Sequence, residues 1–459
     1  MSVTAFPTIL FLNGTGSDSS ASGAGPSTAL TGTAGTTDGA GTTVTLDSGT
    51  DLTNVATDGS HVIYLVDPTA GHRNFAAING KAGSGGATPT VTVEQAFSAT
   101  VGPFSWAIGG IRATIGSASS RLLFDNNTGN GDAMPGWTMQ MQSGHTETTG
   151  RIDIYRDATA GAIQLKGDPL AVVMPVLTCN ESGNPFFVLR AAGQRLMDFA
   201  AKNNQAANTC RFAVCQAVNV LRGIVCADAA EPFQKFAEIQ VTGTVINGCD
   251  IGFLTDYGIY AQQPGVSIIG NFIHDCGSFG VKFDDPLSMN LSSNVIANNA
   301  GDGVIVVTNS SSNRSIEIIQ NTIDNNGGDG IDLSSGLVAK ANVVTNLITN
   351  NGGYGIRFNG SETIATLRAQ AIINSDNTFN NTSGATNLTG AIVNDPGLDP
   401  EYAGGGDYTP TNTSLQGVAF PASVNGFPNY AYPGAIQPQG SSGSGGGANL
   451  LGNGTLVSG

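Results

Sequence analysis

Charge is what this sequence has least of. Only 11% of its 459 residues are Asp, Glu, Lys or Arg, and just 18 of those are basic, which leaves a formal net charge of −16. Such a balance repels a phosphate backbone, and no run of Lys or Arg supplies a local basic patch, so nucleic-acid binding is excluded. Long apolar runs are also missing. No stretch approaches the roughly 20 residues a spanning helix needs, so no membrane insertion is expected. Cysteine is sparse and scattered: Cys179, Cys210, Cys215, Cys226, Cys249 and Cys276 form no C-x-x-C pair and have no His at metal-ligand spacing. They read as small buried hydrophobes in a reducing compartment. No cofactor and no metal is expected. The N-terminal "MSVTAFPTILFLNG" has an apolar patch from Ala5 to Leu12 but neither a basic n-region nor a small-residue cleavage site. It reads as a short strand rather than a secretory signal.

Glycine, with 64 residues, and abundant Asn, Ser and Thr take the place of charge. A surface built from uncharged polar groups and frequent turns fits an all-β chain better than a helical one. Residues 1–43 read as an N-terminal anchoring strand followed by a Gly/Ser/Thr/Ala-rich linker that has too little apolar surface for a core of its own. In residues 44–116 the runs "HVIYLVD", "TVTVEQAF" and "SWAIGGI" alternate between turn residues, which predicts a small antiparallel β-barrel or sandwich. Residues 117–135 read as a second linker. Residues 136–394 read as one right-handed parallel β-helix of short strands, including "LMDF", "CRFAV" and "AVNVLRGI" in a stretch that could also be drawn on a helical face. Residues 395–439 form a Pro- and aromatic-rich closing segment, and 440–459 a Gly/Ser-rich tail.

Four gapless copies of a 13-residue template, N-x-I-x-x-N-x-x-x-G-I-x-F, organise the middle of the chain: "NFIHDCGSFGVKF", "NVIANNAGDGVIV", "NTIDNNGGDGIDL" and "NLITNNGGYGIRF", starting at Asn271, Asn294, Asn321 and Asn346. A spacing near 25 residues, built of strands and turns, predicts a right-handed parallel β-helix with one copy per coil. Ile273, Ile296, Ile323 and Ile348 should then stack as an inward column, as should Val281, Val304, Ile331 and Ile356. Gly280, Gly303, Gly330 and Gly355 should mark a corner where a side chain would collide or where φ is positive. The Asn pairs 298/299, 325/326 and 350/351 should supply left-handed corners and stacked amides.

This pattern resembles the pectate-lyase-like right-handed β-helix superfamily. The segment "DPGLDPEYAGGGDYTP", followed by "YPGAIQ", resembles the closing element of bacterial β-helix repeat proteins. The N-terminal order "ILFLNGTGSDSSASGAGP", "VIYLVDPTAGHRNF", "SWAIGGIRATIGSASSRLLFDNN" and "PGWTMQMQSGHTET" is similar to β-helix proteins of tailed bacteriophages. That resemblance implies a non-enzymatic virion component such as a tail spike, tail fibre or capsid decoration. It further implies synthesis in the bacterial cytoplasm, contact with other virion proteins through the N-terminal segment, homotrimers by analogy and attachment to a host-surface glycan. The superfamily hosts many functions on one fold. The alternatives are accordingly a polysaccharide lyase or glycoside hydrolase, including a tailspike depolymerase, and third a bacterial surface adhesin.

An enzyme of this kind needs paired carboxylates, or acidic ligands with a base. The candidates are the Asp284–Asp285 pair and His274, set against the plainer reading of a solvated turn before Pro286. "GGDGIDLSS" (Gly327 to Ser335) nearly spells a calcium-binding nonapeptide. Asp329 and Asp332 are rejected as its ligands because the template replaces Asp332 by Lys282, Ile305 and Arg357 in the other copies, and an exposed Asp332–Arg357 ion pair between coils accounts for both residues.

Overall fold

The structure, a computed structural model, describes residues 9–12 and most of 30–415. It is almost entirely β, and the chain divides into two units: residues up to Thr178 with Gly193–Ala200, and Cys179–Ala192 with everything from Ala201.

In the first unit the antiparallel sheet begins earlier than its sequence suggests. Leu30–Thr37, placed in the linker by composition, is a strand paired with Phe104–Arg112 and with Thr43–Thr45. Its glycines are the reason: a Cβ on Gly32 would fall 2.4 Å from the Trp106 indole nitrogen, so the strand that looked too small to pack is the one that admits the tryptophan. Trp106 centres a core with Val44, Leu46, Ile63, Ile78, Val91 and Ile108, and its indole N–H donates to Asp47 at 2.6 Å. Ile9–Leu12 does form a strand, but both of its edges are occupied, by Phe104–Arg112 and by Thr138–Met141. The predicted linker 117–135 contributes Arg121–Phe124, paired in parallel with Arg151–Ile154. A parallel ladder runs on from Thr138–Met141 through Gln164–Gly167 to Gln194–Met197.

The second unit is a parallel β-helix in which each coil contributes one strand to each of three sheets. Sheet 1 runs from Asn219–Arg222 to Ala371–Asn374, sheet 2 from Val225–Cys226 to Asn377–Phe379, and sheet 3 from Phe187–Leu189 to Gly384–Thr386. "CRFAV" and "AVNVLRGI" are strands here, at Arg211–Cys215 and Asn219–Arg222. The expected columns are in register. Ile273 pairs with Ile296, Ile296 with Ile323 and Ile323 with Ile348, all fully buried, and Val281, Val304, Ile331 and Ile356 follow the same rule on sheet 3.

The corners explain the rest of the template. Asn298, Asn325 and Asn350 take φ of 53–58°, the left-handed region that Asn tolerates, while their neighbours Asn299, Asn326 and Asn351 turn inward and are buried. Asn299 Nδ2 donates to Asn326 Oδ1 at 2.9 Å, and Asn326 repeats the bond to Asn351 at 3.0 Å. A second buried ladder, Asn271–Asn294–Asn321–Asn346, runs along the corner before sheet 2. The corner glycines are steric: a Cβ on Gly303 would lie 2.8 Å from the Gly330 carbonyl oxygen and 2.7 Å from Ile323. In "GGDGIDLSS", Gly328 leaves room for the Asp302 carboxylate, 2.1 Å from where its Cβ would be, and Gly327 clears the Ala300 carbonyl.

The closing segment does not end at the tip of the coil stack. From Asp395 to Leu415 it folds back over the outer side of sheet 2, where Tyr402 and Tyr408 pack on Phe272, Val295 and Ala297, and Leu415 packs on Leu347. The part of the predicted closing segment after Leu415, and the tail 440–459, lie outside the described residues.

Candidate functional site

The sequence candidates do not assemble into one constellation. Asp284 ends the sheet 3 strand Val281–Asp284 and accepts the Tyr260 hydroxyl at 2.9 Å. Asp285 is a corner residue with φ 56° whose backbone N–H donates to the Val307 carbonyl. His274 belongs to sheet 2. What gathers around His274 is a different pair of acids, Asp250 from the coil before and Asp275 beside it.

His274 Nε2 lies 2.9 Å from Asp250 Oδ1 and its Nδ1 2.7 Å from Asp275 Oδ2, with the ring almost fully buried. A carboxylate at each nitrogen favours the doubly protonated ring. Burial opposes that charge, but the hydrogen bonds and the negative charges of Asp250 and Asp275 outweigh it and hold the imidazole pKa above its ordinary value. Space for the ring comes from Gly252, where any Cβ would sit 2.3 Å from the imidazole. Phe272 stacks on it at 4.0 Å and Phe253 meets it edge-on at 5.2 Å. Phe253 occupies the corner position held by Asp275, Asn298, Asn325 and Asn350 in later coils, and it adopts φ 54° despite its bulk. Left-handed backbone at a bulky residue costs on the order of 1–3 kcal/mol.

Further along the same outer face Asp324 is also covered. Thr349 and Asn350 donate to its carboxylate at 2.5 and 2.8 Å, the Tyr402 hydroxyl sits 2.9 Å from Thr349, and burial pushes the Asp324 pKa up. Sheet 2 therefore carries a buried acid, Asp324, and the nearly buried His274 ring, each tied by hydrogen bonds to a neighbouring coil.

Sheet 3 carries the second cluster, which single-residue motif reading missed. Glu238, Tyr260, Lys282, Ile305, Asp332 and Arg357 form one outward column, coil by coil. At the adjoining corner Tyr257 and Phe279 stack at 4.8 Å, Lys235 sits 4.2 Å above the Tyr257 ring, and Lys282 lies 5.3 Å from Tyr260 and 5.9 Å from Phe279. Arg211 pairs with Glu238 at 2.5 Å and Lys235 with Asp256 at 3.5 Å. Burial disfavours the Glu238 charge, yet hydrogen bonds from Gln240 and Arg211 leave its pKa below the ordinary value. The signal for this cluster was the column rule already in use, extended from Lys282 back to Tyr260 and Glu238.

The aspartates of "GGDGIDLSS" serve the backbone. Asp302 Oδ1 accepts the Asp329 N–H at 2.5 Å, and Asp329 Oδ1 accepts the Tyr354 N–H at 2.6 Å. The expected Asp332–Arg357 ion pair is not formed. Arg357 reaches Asp329 at 3.4 Å instead, because Asp332 turns back to cap the Ser334 N–H at 2.7 Å. No group of three or more His, Cys, Asp or Glu side chains able to hold a metal ion occurs among the described residues. All six cysteines are buried thiols, with Cys179 and Cys210 sulfurs 3.2 Å apart.

Among curated proteins none matches the chain significantly. Of solved structures, the periplasmic alginate epimerase AlgG is 14% identical, with a TM-score of 0.31 over 56% of this chain and 75% of that one. A point variant of it is 14% identical, with a TM-score of 0.32 over 57% and 77%. Likeness at this distance carries no functional implication. Residues 234–372, which include His274 with Asp250 and Asp275 and the Tyr257–Phe279 stack, match the family model described as the right handed beta helix region, and right-handed parallel β-helix is the class to which this fold belongs.

Proposed function

We propose that the chain is a structural component of a bacteriophage virion, a rigid β-helical spike, fibre or capsid-associated element that projects or binds a surface. The observation that carries this reading is the use made of polar side chains in the coils. Two buried Asn ladders and the Asp302–Asp329 chain spend them on coil-to-coil hydrogen bonds, and His274 is clamped between two acids under Phe272 and Phe253. A stack held at every corner resists local opening and suits a spacer. The N-terminal order of motifs supports the phage assignment, with docking to other virion proteins through the N-terminal segment and a homotrimer by analogy. Mass spectrometry of purified particles is expected to detect the chain in stoichiometric amounts; particles lacking it would sink the reading.

A second reading, binding or cleavage of a polysaccharide, is favoured by the Tyr257–Phe279–Tyr260 aromatic cluster flanked by Lys235 and Lys282 on sheet 3. Aromatic faces with neighbouring cations and acids suit sugar rings that carry charge. A glycan panel assayed for retention and for new reducing ends or unsaturated products tests it. Unchanged activity in Asp284→Ala would remove that residue from any catalytic role.

A further inference from the structure

The asparagine ladder before sheet 2 ends in a residue of different chemistry. In each coil the backbone N–H and the Nδ2 of the ladder Asn donate to Oδ1 of the next, as in Asn321 to Asn346 at 2.9 and 3.0 Å. Each Nδ2 also donates to a sheet 1 carbonyl of the previous coil: Asn271 to Ile246, Asn294 to Ile268, Asn321 to Leu291 and Asn346 to Ile318. Those four acceptors are register neighbours, and the next residue in their column is Val343. The last ladder position is Asp376. Its Oδ1 accepts from the Asn346 N–H at 2.8 Å and from Nδ2 at 2.9 Å, as an Asn would. Its Oδ2 stands where the amide donor belongs, and it is fully buried without a hydrogen-bond partner.

An ionised Oδ2 has only lone pairs to offer toward a position whose counterpart in every earlier coil is a carbonyl acceptor; a protonated one is a donor of the right kind. We propose that Asp376 is a proton-binding site: it sits in the ladder as a neutral carboxylic acid whose Oδ2–H replaces the missing amide toward Val343, and loss of that proton releases the last coil together with the closing segment. The link to the closing segment is direct. Asn377 exchanges two hydrogen bonds with Leu398, at 2.8 and 2.9 Å, and the Thr378 N–H donates to Asp395 at 3.0 Å. Asp395 is the charged group of the closing segment that acts on Asp376, and its negative charge further disfavours ionisation; Asn346, from the coil below, is neutral. Burial is the largest influence and drives the Asp376 pKa well up, while the two bonds from Asn346 oppose it.

The sign follows from the raised value. The stabilisation is complete below the unfolded carboxyl pKa, near 3.8, and is lost as pH rises toward the folded one. Opening of the closing segment should therefore increase up to about tenfold per pH unit across that window. Hydrogen exchange of residues 395–415 in the full chain, corrected for intrinsic rates between pH 5 and 8, reads this directly. The expected result is opening that grows with pH in the wild type and is flat in Asp376→Asn, together with loss in the variant of an infrared carboxylic-acid band present in the wild type at neutral pH. The same pH dependence in both proteins, or no such band lost, overturns the proposal. Should Asp376→Asn fail to fold, closing-segment opening in the wild type that does not vary with pH overturns it alone.

Discussion

Sheets 2 and 3 of the β-helix grow from one repeat, with the same inward columns and the same coil spacing, yet their outer faces have opposite fates. On sheet 2 the outward residues Val295, Ala297, Asp324 and Thr349 lie under or beside the closing segment and are buried, and Phe272 packs against it. On sheet 3 the outward residues Tyr260, Lys282 and Ile305 stay half-buried, and Arg357 is half exposed. The same kinds of side chain therefore differ in consequence. The covered Asp324 carboxyl and the His274 imidazole have their pKa values held above the ordinary ones and tie coils together, whereas cations over aromatic rings at a wetter surface contribute little to stability and remain available for contact.

The largest test of that contrast removes the cover. Tyr408→Ala, which strips a ring from Phe272, Val295 and Ala297, is expected to destabilise the chain by about 3 kcal/mol in urea unfolding, as large-to-small changes at buried aromatic positions do. A loss below about 1 kcal/mol would mean that the closing segment is not coupled to sheet 2. Gly252→Ala should cost roughly 2 kcal/mol, since its methyl would displace the His274 ring from Asp250. NMR titration should then show the imidazole pKa falling toward its ordinary value; an unmoved pKa would break the assignment of Gly252 as the ring's seat.

A third test uses pH. Because the folded His274 pKa is raised, its contribution is complete below the unfolded value of 6.5 and is lost as pH rises through the folded pKa. Thermal unfolding from pH 6 to 9 should show a decline in the wild type that His274→Gln flattens. Parallel slopes would assign the decline to other groups, Asp376 among them. The smallest effect is expected on sheet 3: Lys282→Ala should change stability by less than about 1 kcal/mol. If it also abolished retention on a charged glycan, the contrast between a structural and a contacting face would be sharpened.

Legibility differed in the same way. The inward columns and the corner glycines were readable because each coil must place an apolar or small residue at a fixed offset, or its neighbours clash within 3 Å. The role of Asn299, Asn326 and Asn351 was half readable: the pairs were visible, but which member turned inward depended on backbone φ. The strand Leu30–Thr37 was hidden because Gly32 makes room for Trp106, more than 60 residues away in sequence. His274 was visible as a candidate, whereas Asp250 was not, since the coil that brings it 2.9 Å away is 24 residues earlier. The Asp332–Arg357 pairing failed for a local reason: register made them neighbours, and a side-chain rotation gave Asp332 a closer partner in the Ser334 N–H.

By itself, then, the amino-acid order determined the parallel β-helix, its period and the identity of its interior, because stacking at about 4.8 Å imposes the same demand on every coil. Only the tertiary structure decided which outward residues are buried, which carboxylates meet an imidazole and which one ends a ladder with no amide to give. Those outcomes depend on where the closing segment lies and on contacts between residues far apart in the chain, and no repeat period records either.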